Sequence, residues 1–374
     1  MPNIYKIVVT IPKVSILAIF FGLGCLSITF TQLLTNLFIF DIDNYRLLHD
    51  FNKRNFVVLV AFVTYLFSSS TTLSLSFANE ELERRSISSS GENKGKLILP
   101  SKALVIANHQ IYSDWFYLWF LAYLSQKADS IYIVMKKSLR KIPIIGYGME
   151  NYNFVFLSRN WANDKKYMSG QFAKMSEIGE KVGKLWMLIF PEGTNINHVH
   201  LAKSQAWSEK MGLPKLETVL LPRVKGLYVA AKELRGVTDT ILDFTIGYSP
   251  NNGKEEMAQD VWTLGKIYGE GESPSKINVL INEYHLKEEI KNLNWEADSS
   301  EDDIEMEKLD KWICKVFELK EKEMQHFYQH GNFGRKTVEI PLKLRNQFEI
   351  LNVFIVPLVL TALCLLFAKI FRCF

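Results

Sequence analysis

Three long uncharged runs limit what this chain can fold into more than any other feature. They cover residues 14–34, 55–78 and 350–368. An α-helix of about 20 apolar residues spans the ~30 Å hydrocarbon core of a bilayer, so each run is long enough to form a membrane helix. We therefore predict a membrane hairpin of two helices in residues 1–85 and a C-terminal membrane helix in residues 346–374.

The charges around the hairpin predict its orientation. A short polar connection, residues 41–54, joins the first two runs, and basic residues are more numerous on either side of the hairpin than in this connection. The positive-inside rule then places the region after the hairpin in the cytosol. A hairpin that is embedded in one leaflet without crossing predicts the same side, and both arrangements remain open.

The overall charge and the cysteines narrow the class of protein. The 44 basic and 40 acidic residues are mostly interspersed, which does not indicate a nucleic-acid partner. The four cysteines lack the spacing of metal ligands and predict no disulfide framework.

Beyond a polar stretch at residues 86–95, the pattern becomes that of an α/β domain. Short β-type runs alternate with helical segments, which predicts a central mixed sheet flanked by helices in residues 86–290. Residues 291–345 are predicted to hold an acidic loop, 296–303, and a helix from about 305 to 328. The predicted strands are 104–106, 131–135, 154–157, 185–190, 219–224, 241–246 and 277–284, and the clearest predicted helices of the α/β domain are 115–125, 164–184 and 202–211.

A histidine and an aspartate five positions apart lie near the start of this domain. On one continuous helix, His109 and Asp114 would point about 140° apart and could not meet. If His109 follows a strand in a loop and Asp114 begins the next helix, the carboxylate reaches the imidazole, as a general base requires. Such a pair alone is more often structural than catalytic.

Three further motifs lie at or near the ends of predicted strands. They are residues 156–159, which end in Arg159, residues 190–194, which include a glycine turn, and Leu221 with Pro222. In an open α/β sheet the carboxyl ends of the strands are where sites assemble. We expect all three motifs to converge with His109 on one crevice.

In this order, the four motifs resemble those of the glycerolipid acyltransferases, the family typified by 1-acylglycerol-3-phosphate acyltransferase. The sequence around His109 and in residues 135–146 is most similar to those of the eukaryotic branch that reacylates lysophosphatidylinositol and lysocardiolipin. The resemblance implies transfer of a fatty acyl group from acyl-CoA to the free hydroxyl of a lysophospholipid, with lysophosphatidylinositol the favoured acceptor. The alternatives are an acyltransferase for lysophosphatidic acid, a lipid or thioester hydrolase, and an inactive membrane scaffold.

The resemblance also implies a role for each motif residue. His109 would act as the general base and Asp114 would orient it. Arg159 would bind the acceptor's phosphate, for which its fork geometry is suited. The other residues assigned to substrate binding are Asn108, Glu192, Gly193, Thr194 and Pro222.

Each of these assignments has a structural alternative. His109 could be a buried histidine bonded to a backbone carbonyl, Arg159 could form a surface salt bridge, and Glu192 could cap a helix. The aromatic stretch at residues 112–120 is predicted to be core or a helix surface near the lipid headgroups. No metal and no cofactor are implied, only acyl-CoA as a co-substrate.

The predicted partners are therefore the two substrates and a lipid bilayer. Both substrates carry long acyl chains, and a site at the membrane surface avoids exposing them to water at about 0.8 kcal/mol per CH₂. For a eukaryotic cell this predicts an integral membrane protein of the endoplasmic reticulum with its catalytic domain in the cytosol. Lipid droplets are the alternative if the hairpin does not span.

Overall fold

The computed structural model describes residues 4–372, apart from residue 40 and the segments 68–69, 89–95, 251–255 and 296–301. Most of the predicted polar stretch at 86–95 and of the predicted acidic loop at 296–303 lies outside the described residues. Twelve helices bear the labels α1 to α12 in chain order: Ile4–Phe38, Ile42–Phe67, Glu80–Ser86, Asp114–Leu124, Ile145–Asn151, Trp161–Val182, His198–Met211, Val224–Leu234, Ala258–Val261, Leu286–Glu289, Asp302–His330 and Ile355–Arg372.

One mixed sheet of eight strands organises the domain, in the order β4-β3-β5-β2-β6-β7-β1-β8. Strands β2 to β6 run parallel to one another, β7 is antiparallel to β6, and β1 is parallel to β7. Helices cover both faces, as predicted. The strands β1 to β8 are Thr72–Phe77, Lys102–Ala107, Ile131–Lys136, Val155–Leu157, Leu185–Ile189, Thr240–Ser249, Lys276–His285 and Thr337–Pro341.

Two hydrophobic cores lie on opposite faces of this sheet. One contains the apolar residues of α1, α2 and α4, and the other contains those of α6, α8 and α11. The parallel strands are buried on both faces, which explains why they read as continuous apolar runs. Because β2, β4 and β5 are parallel, their carboxyl ends meet at one edge.

The predicted extent of the second apolar helix is wrong. Helix α2 ends at Phe67, and residues 72–77 instead form β1, which pairs with β7 and β8 inside the sheet. The sequence of β1, TLSLSF, alternates polar and apolar residues, and this period of two favours a strand although the run is uncharged. The predicted polar connection is also mostly helical, because α2 begins at Ile42.

One helix among the described residues, Ile11–Phe38, is long and apolar enough to cross a membrane. A second candidate exists only if two helices, Gln347–Val353 and Ile355–Leu366, are counted as one span bent by 58°. Helix α2 is not a candidate, since its first half carries charged residues such as Asp50 and Lys53. Its apolar half packs in the core, where Val57 and Leu59 are fully buried.

One other predicted strand is wrong, and one strand was missed. Residues 219–223 form a loop that leads into α8, not a strand, and the edge strand β8 was not predicted. The aromatic helix α4 is a core helix, which is the first of the two alternatives predicted for this stretch. Trp119 and Phe120 are fully buried, and Phe56 of α2 packs on Trp119 with 5.4 Å between ring centroids.

Candidate active site

His109 and Asp114 meet at the carboxyl end of β2. The strand ends at Ala107, His109 lies in the loop that follows, and Asp114 is the first residue of α4. Nδ1 of His109 lies 2.8 Å from Oδ2 of Asp114. This is the strand, loop and helix arrangement that the five-residue spacing predicts.

The carboxylate of Asp114 is fully buried and acts as an acceptor on both oxygens. Oδ2 accepts hydrogen bonds from the backbone N–H of Gln110 at 2.6 Å and of Ile111 at 3.0 Å. Oδ1 accepts a short hydrogen bond from the hydroxyl of Tyr248. Burial, and then the charge of Asp114, raise the pKa of Tyr248 well above its ordinary value, so this hydroxyl remains a donor.

These contacts fix the tautomer of the histidine. Because Oδ2 of Asp114 is an acceptor, Nδ1 of His109 carries the hydrogen and Nε2 keeps its lone pair. The imidazole stacks on Phe190, with 4.3 Å between centroids and 23° between planes, and the side chain of His109 is 19% exposed. In this tautomer Nε2 is the nitrogen that can accept a proton from a bound ligand.

Glu192 links the first motif to the third. The backbone N–H of His109 donates to Oε1 of Glu192 at 3.2 Å, and the carbonyl of His109 accepts from the N–H of Ile196 at 2.8 Å. Glu192 is 1% exposed, and its Oε2 has no hydrogen-bond partner among the described residues. Burial raises its pKa well above the ordinary value, against the lowering effect of the N–H of His109, and so favours the neutral carboxyl.

Arg159 lies against the glycine turn of the third motif. It follows β4 with a φ of 66°, a conformation that non-glycine residues rarely adopt, and its Nη2 donates to the carbonyl of Gly193 at 3.2 Å. Gly193 itself has a φ of 72°, which explains the glycine at this position of the turn. Oγ1 of Thr194 lies 3.4 Å from Nδ1 of His200. The guanidinium is exposed and can reach an anion beside this turn.

Asn108 and Pro222 lie behind the site, away from its open face. Asn108 is fully buried, and its amide donates to the carbonyl of Ile246 at 3.0 Å and accepts from the N–H of Ile246 at 2.8 Å. Pro222 is buried too, and the N–H of the next residue, Arg223, donates to the carbonyl of Pro191 at 2.7 Å. Asn108 thus ties the loop of His109 to β6, and the fourth motif supports the third.

Sequence reasoning missed three residues that hold this site together. Tyr248 of β6 positions Asp114, and two residues of α11 support the neighbouring loops. Tyr328 donates to Oε1 of Gln110 at 3.0 Å, and Glu321 accepts from the N–H groups of residues 217 and 218 at 3.0 and 2.9 Å. Nothing in the local sequence marks these residues, because each acts on a segment far away in the chain.

No group of three or more His, Cys, Asp or Glu residues within the described ranges could hold a metal ion. The prediction that the protein needs no metal and no bound cofactor stays a prediction.

Comparison with known proteins gives a consistent result. A family model described as Acyltransferase matches residues 89–249. A Saccharomyces cerevisiae protein named 2-acyl-1-lysophosphatidylinositol acyltransferase is 31% identical over 390 residues, which cover 93% of each chain. Lysocardiolipin acyltransferase 1 of Gallus gallus is 29% identical over 63% of this chain and 56% of its own.

The solved crystal structure of the 1-acyl-sn-glycerophosphate acyltransferase from Thermotoga maritima is a more distant match. It is 18% identical, covers 83% of this chain and 95% of its own, and has a TM-score of 0.43.

The chain belongs to the acyltransferase family. It is an enzyme of that class, and the resemblance found in its four motifs is confirmed.

Proposed function

We propose that the enzyme transfers a fatty acyl group from acyl-CoA to the free hydroxyl of a lysophospholipid, and that lysophosphatidylinositol is the preferred acceptor. The observation that carries the chemistry is the contact between His109 and Asp114, in which Nδ1 faces the carboxylate and Nε2 remains as the nitrogen that can take a proton. The relative that is similar along 93% of its length is named for a lysophosphatidylinositol substrate, which supports this choice of acceptor.

In the proposed reaction, Nε2 of His109 takes the proton of the acceptor hydroxyl while its oxygen attacks the thioester carbonyl carbon. The C–S bond then breaks, and the CoA thiolate leaves with the proton returned by the imidazolium. Asp114, fixed by its donors, stabilises the imidazolium while it exists. The substrate supplies the nucleophile, so neither a protein serine nor a metal is required.

Arg159 would bind the acceptor's phosphate, since its exposed guanidinium is held beside the glycine turn. In the neutral form favoured by burial, Glu192 can donate from Oε2 while Oε1 still accepts from the loop of His109. A charged Glu192 would repel the phosphate. A raised pKa at this position therefore suits an anionic acceptor.

The enzyme would act at a membrane. The outer face of α1 exposes Ile16, Ile19 and Leu23 by 65%, 64% and 54%, which is costly in water and favourable in lipid. We propose attachment to the endoplasmic reticulum with the catalytic domain in the cytosol. Helix α1 would supply the anchor, and α12 would add to it.

A panel of lysophospholipids crossed with acyl-CoAs tests this function. We expect transfer to lysophosphatidylinositol, and we expect His109→Ala to reduce kcat by about 10² to 10⁴, the usual contribution of a general base. Activity confined to lysophosphatidic acid would replace the acceptor and keep the mechanism. Acyl-CoA cleavage that needs no acceptor would indicate a hydrolase, and full transfer by His109→Ala would refute the mechanism.

A further inference from the structure

A continuous exposed segment follows β3 at the active-site edge of the sheet. Residues 136–144 are all exposed, and they include three large apolar side chains, Leu139, Ile142 and Ile144, at 37%, 40% and 39% exposure. Basic residues alternate with them, including Lys137 and Lys141. Apolar side chains in water beside a functional site indicate a binding surface.

A tight turn shapes the end of the segment. The N–H of Ile145 donates to the carbonyl of Pro143 at 2.7 Å, which closes a γ-turn with Ile144 at φ 65° and ψ −60°. That conformation is strained for a β-branched residue. Gly146 allows the chain to close, because a Cβ at this position would lie 2.2 Å from the carbonyl oxygen of Arg140.

The position of the segment joins the active site to the apolar surface of α1. Its first residues continue β3, whose carboxyl end lies at the same sheet edge as the loop of His109. Its last residues lead into α5, which packs on α1: Gln32 donates to the carbonyl of Gly148 at 3.3 Å, and Asn36 donates to the hydroxyl of Tyr147 at 3.2 Å. Exposed apolar side chains continue on α5, with Tyr147 at 38%, and α1 also exposes apolar side chains such as Phe30 at 41%.

We propose that residues 137–144, which we call the docking segment, insert into the surface of an anionic lipid bilayer. The apolar side chains would enter the boundary between headgroups and acyl chains. Arg140 forms an ion pair with Glu150, so the attraction to anionic headgroups comes mainly from Lys137 and Lys141. A lipid in that leaflet would then reach the crevice by lateral diffusion. The docking itself can be tested without the proposed acyl transfer. Only the test that measures activity rests on that proposed function.

Insertion can be measured without any activity. A tryptophan placed at Ile142 in the full-length protein, reconstituted in vesicles of phosphatidylcholine and phosphatidylserine, should be quenched by lipids brominated on their acyl chains. The matched control is Leu319→Trp on α11, which covers the other face of the sheet and leaves this side chain 50% exposed. Equal quenching at the two positions overturns the proposal, as does the absence of quenching at position 142.

The basic residues are tested by the double variant Lys137→Glu/Lys141→Glu, with Lys315→Glu/Lys322→Glu on α11 as its charge-matched control. With a lysophospholipid embedded in anionic vesicles, we expect the first variant alone to raise the apparent KM about tenfold while kcat is unchanged. With a short-chain acceptor dispersed as monomers, we expect the same apparent KM for the wild type and both double variants.

The outcomes separate the two proposals. An equal rise in KM with the dispersed acceptor would place the lysines in the acceptor site and overturn docking. If the wild-type protein transfers no acyl group even to the dispersed acceptor, the proposed function fails, and the quenching experiment still decides whether the segment inserts.

Discussion

Replacing Tyr248 with phenylalanine isolates one hydrogen bond to Asp114 of the proposed catalytic pair. The hydroxyl of Tyr248 is the donor to Oδ1 of Asp114, a carboxylate that is fully buried. A buried acceptor that loses its donor costs about 1–3 kcal/mol. If that amount is lost from the stabilisation of the imidazolium in the transition state, kcat falls about 5- to 150-fold.

The assay compares kcat and KM for the acceptor in the wild type, Tyr248→Phe and Tyr117→Phe. Tyr117 is the matched control, because it is a buried tyrosine whose ring lies 6.0 Å from that of Tyr248 and whose hydroxyl is not a donor to Asp114 in the described structure. We expect KM to stay unchanged in Tyr248→Phe, since the residue is 1% exposed and lies behind Asp114. Thermal melts of all three forms report any general loss of folding.

Two results would refute this reasoning. A Tyr248→Phe enzyme with wild-type kcat would mean that three donors hold Asp114 as well as four. An equal fall in Tyr117→Phe would show that kcat responds to packing of the aromatic cluster and not to the hydrogen bond.

Three further predictions concern the supporting residues. Arg159→Lys loses the bidentate fork and should raise KM for the acceptor about tenfold with little change in kcat, and an unchanged KM would exclude a phosphate contact. Glu192→Gln mimics the neutral carboxyl and should keep most of the activity. In the wild type the raised pKa of Glu192 makes the free energy of unfolding fall as pH rises from about 4.5 towards the folded-state value, and melts against pH should show this dependence weakened in the variant. Glu321→Gln weakens the anchor of residues 217–219 and should lower the free energy of unfolding by about 1–3 kcal/mol, as denaturant titration would measure; no change would mean that α11 does not stabilise the loop.

The contact between His109 and Asp114 could be predicted from the sequence because its geometry is local. His109 and Asp114 are separated by five residues, and the only requirement is a strand end followed by a helix start. The apolar runs on either side of the two residues predict this strand end and this helix start. The second and third motifs could be placed at one sheet edge, because they follow strands and strand ends in a parallel sheet share a side. This argument did not hold for the fourth motif, which follows no strand.

Contacts between segments that are distant in the chain could not be predicted from the sequence. Tyr248 reaches Asp114 across 134 positions and Tyr328 reaches Gln110 across 218, and no periodicity or spacing records such a pairing. Asn108 matched a motif, but the reason for its presence, the paired hydrogen bonds to Ile246, lies in the sheet. For residues 55–78, the lack of charge led to the prediction of one membrane helix, although the alternation of polar and apolar residues in β1 favours a strand. A lack of charge fits a buried strand as well as a membrane helix.

The place of β1 in the sheet has a consequence for synthesis. This strand directly follows the α1–α2 hairpin, but its neighbours are β7, which begins at Lys276, and β8, which begins at Thr337. On the ribosome, β1 therefore has both edges unpaired while about 200 further residues are made. The sheet closes around it only near the end of translation, and a chain that stops before β8 leaves one edge of β1 open to other strands.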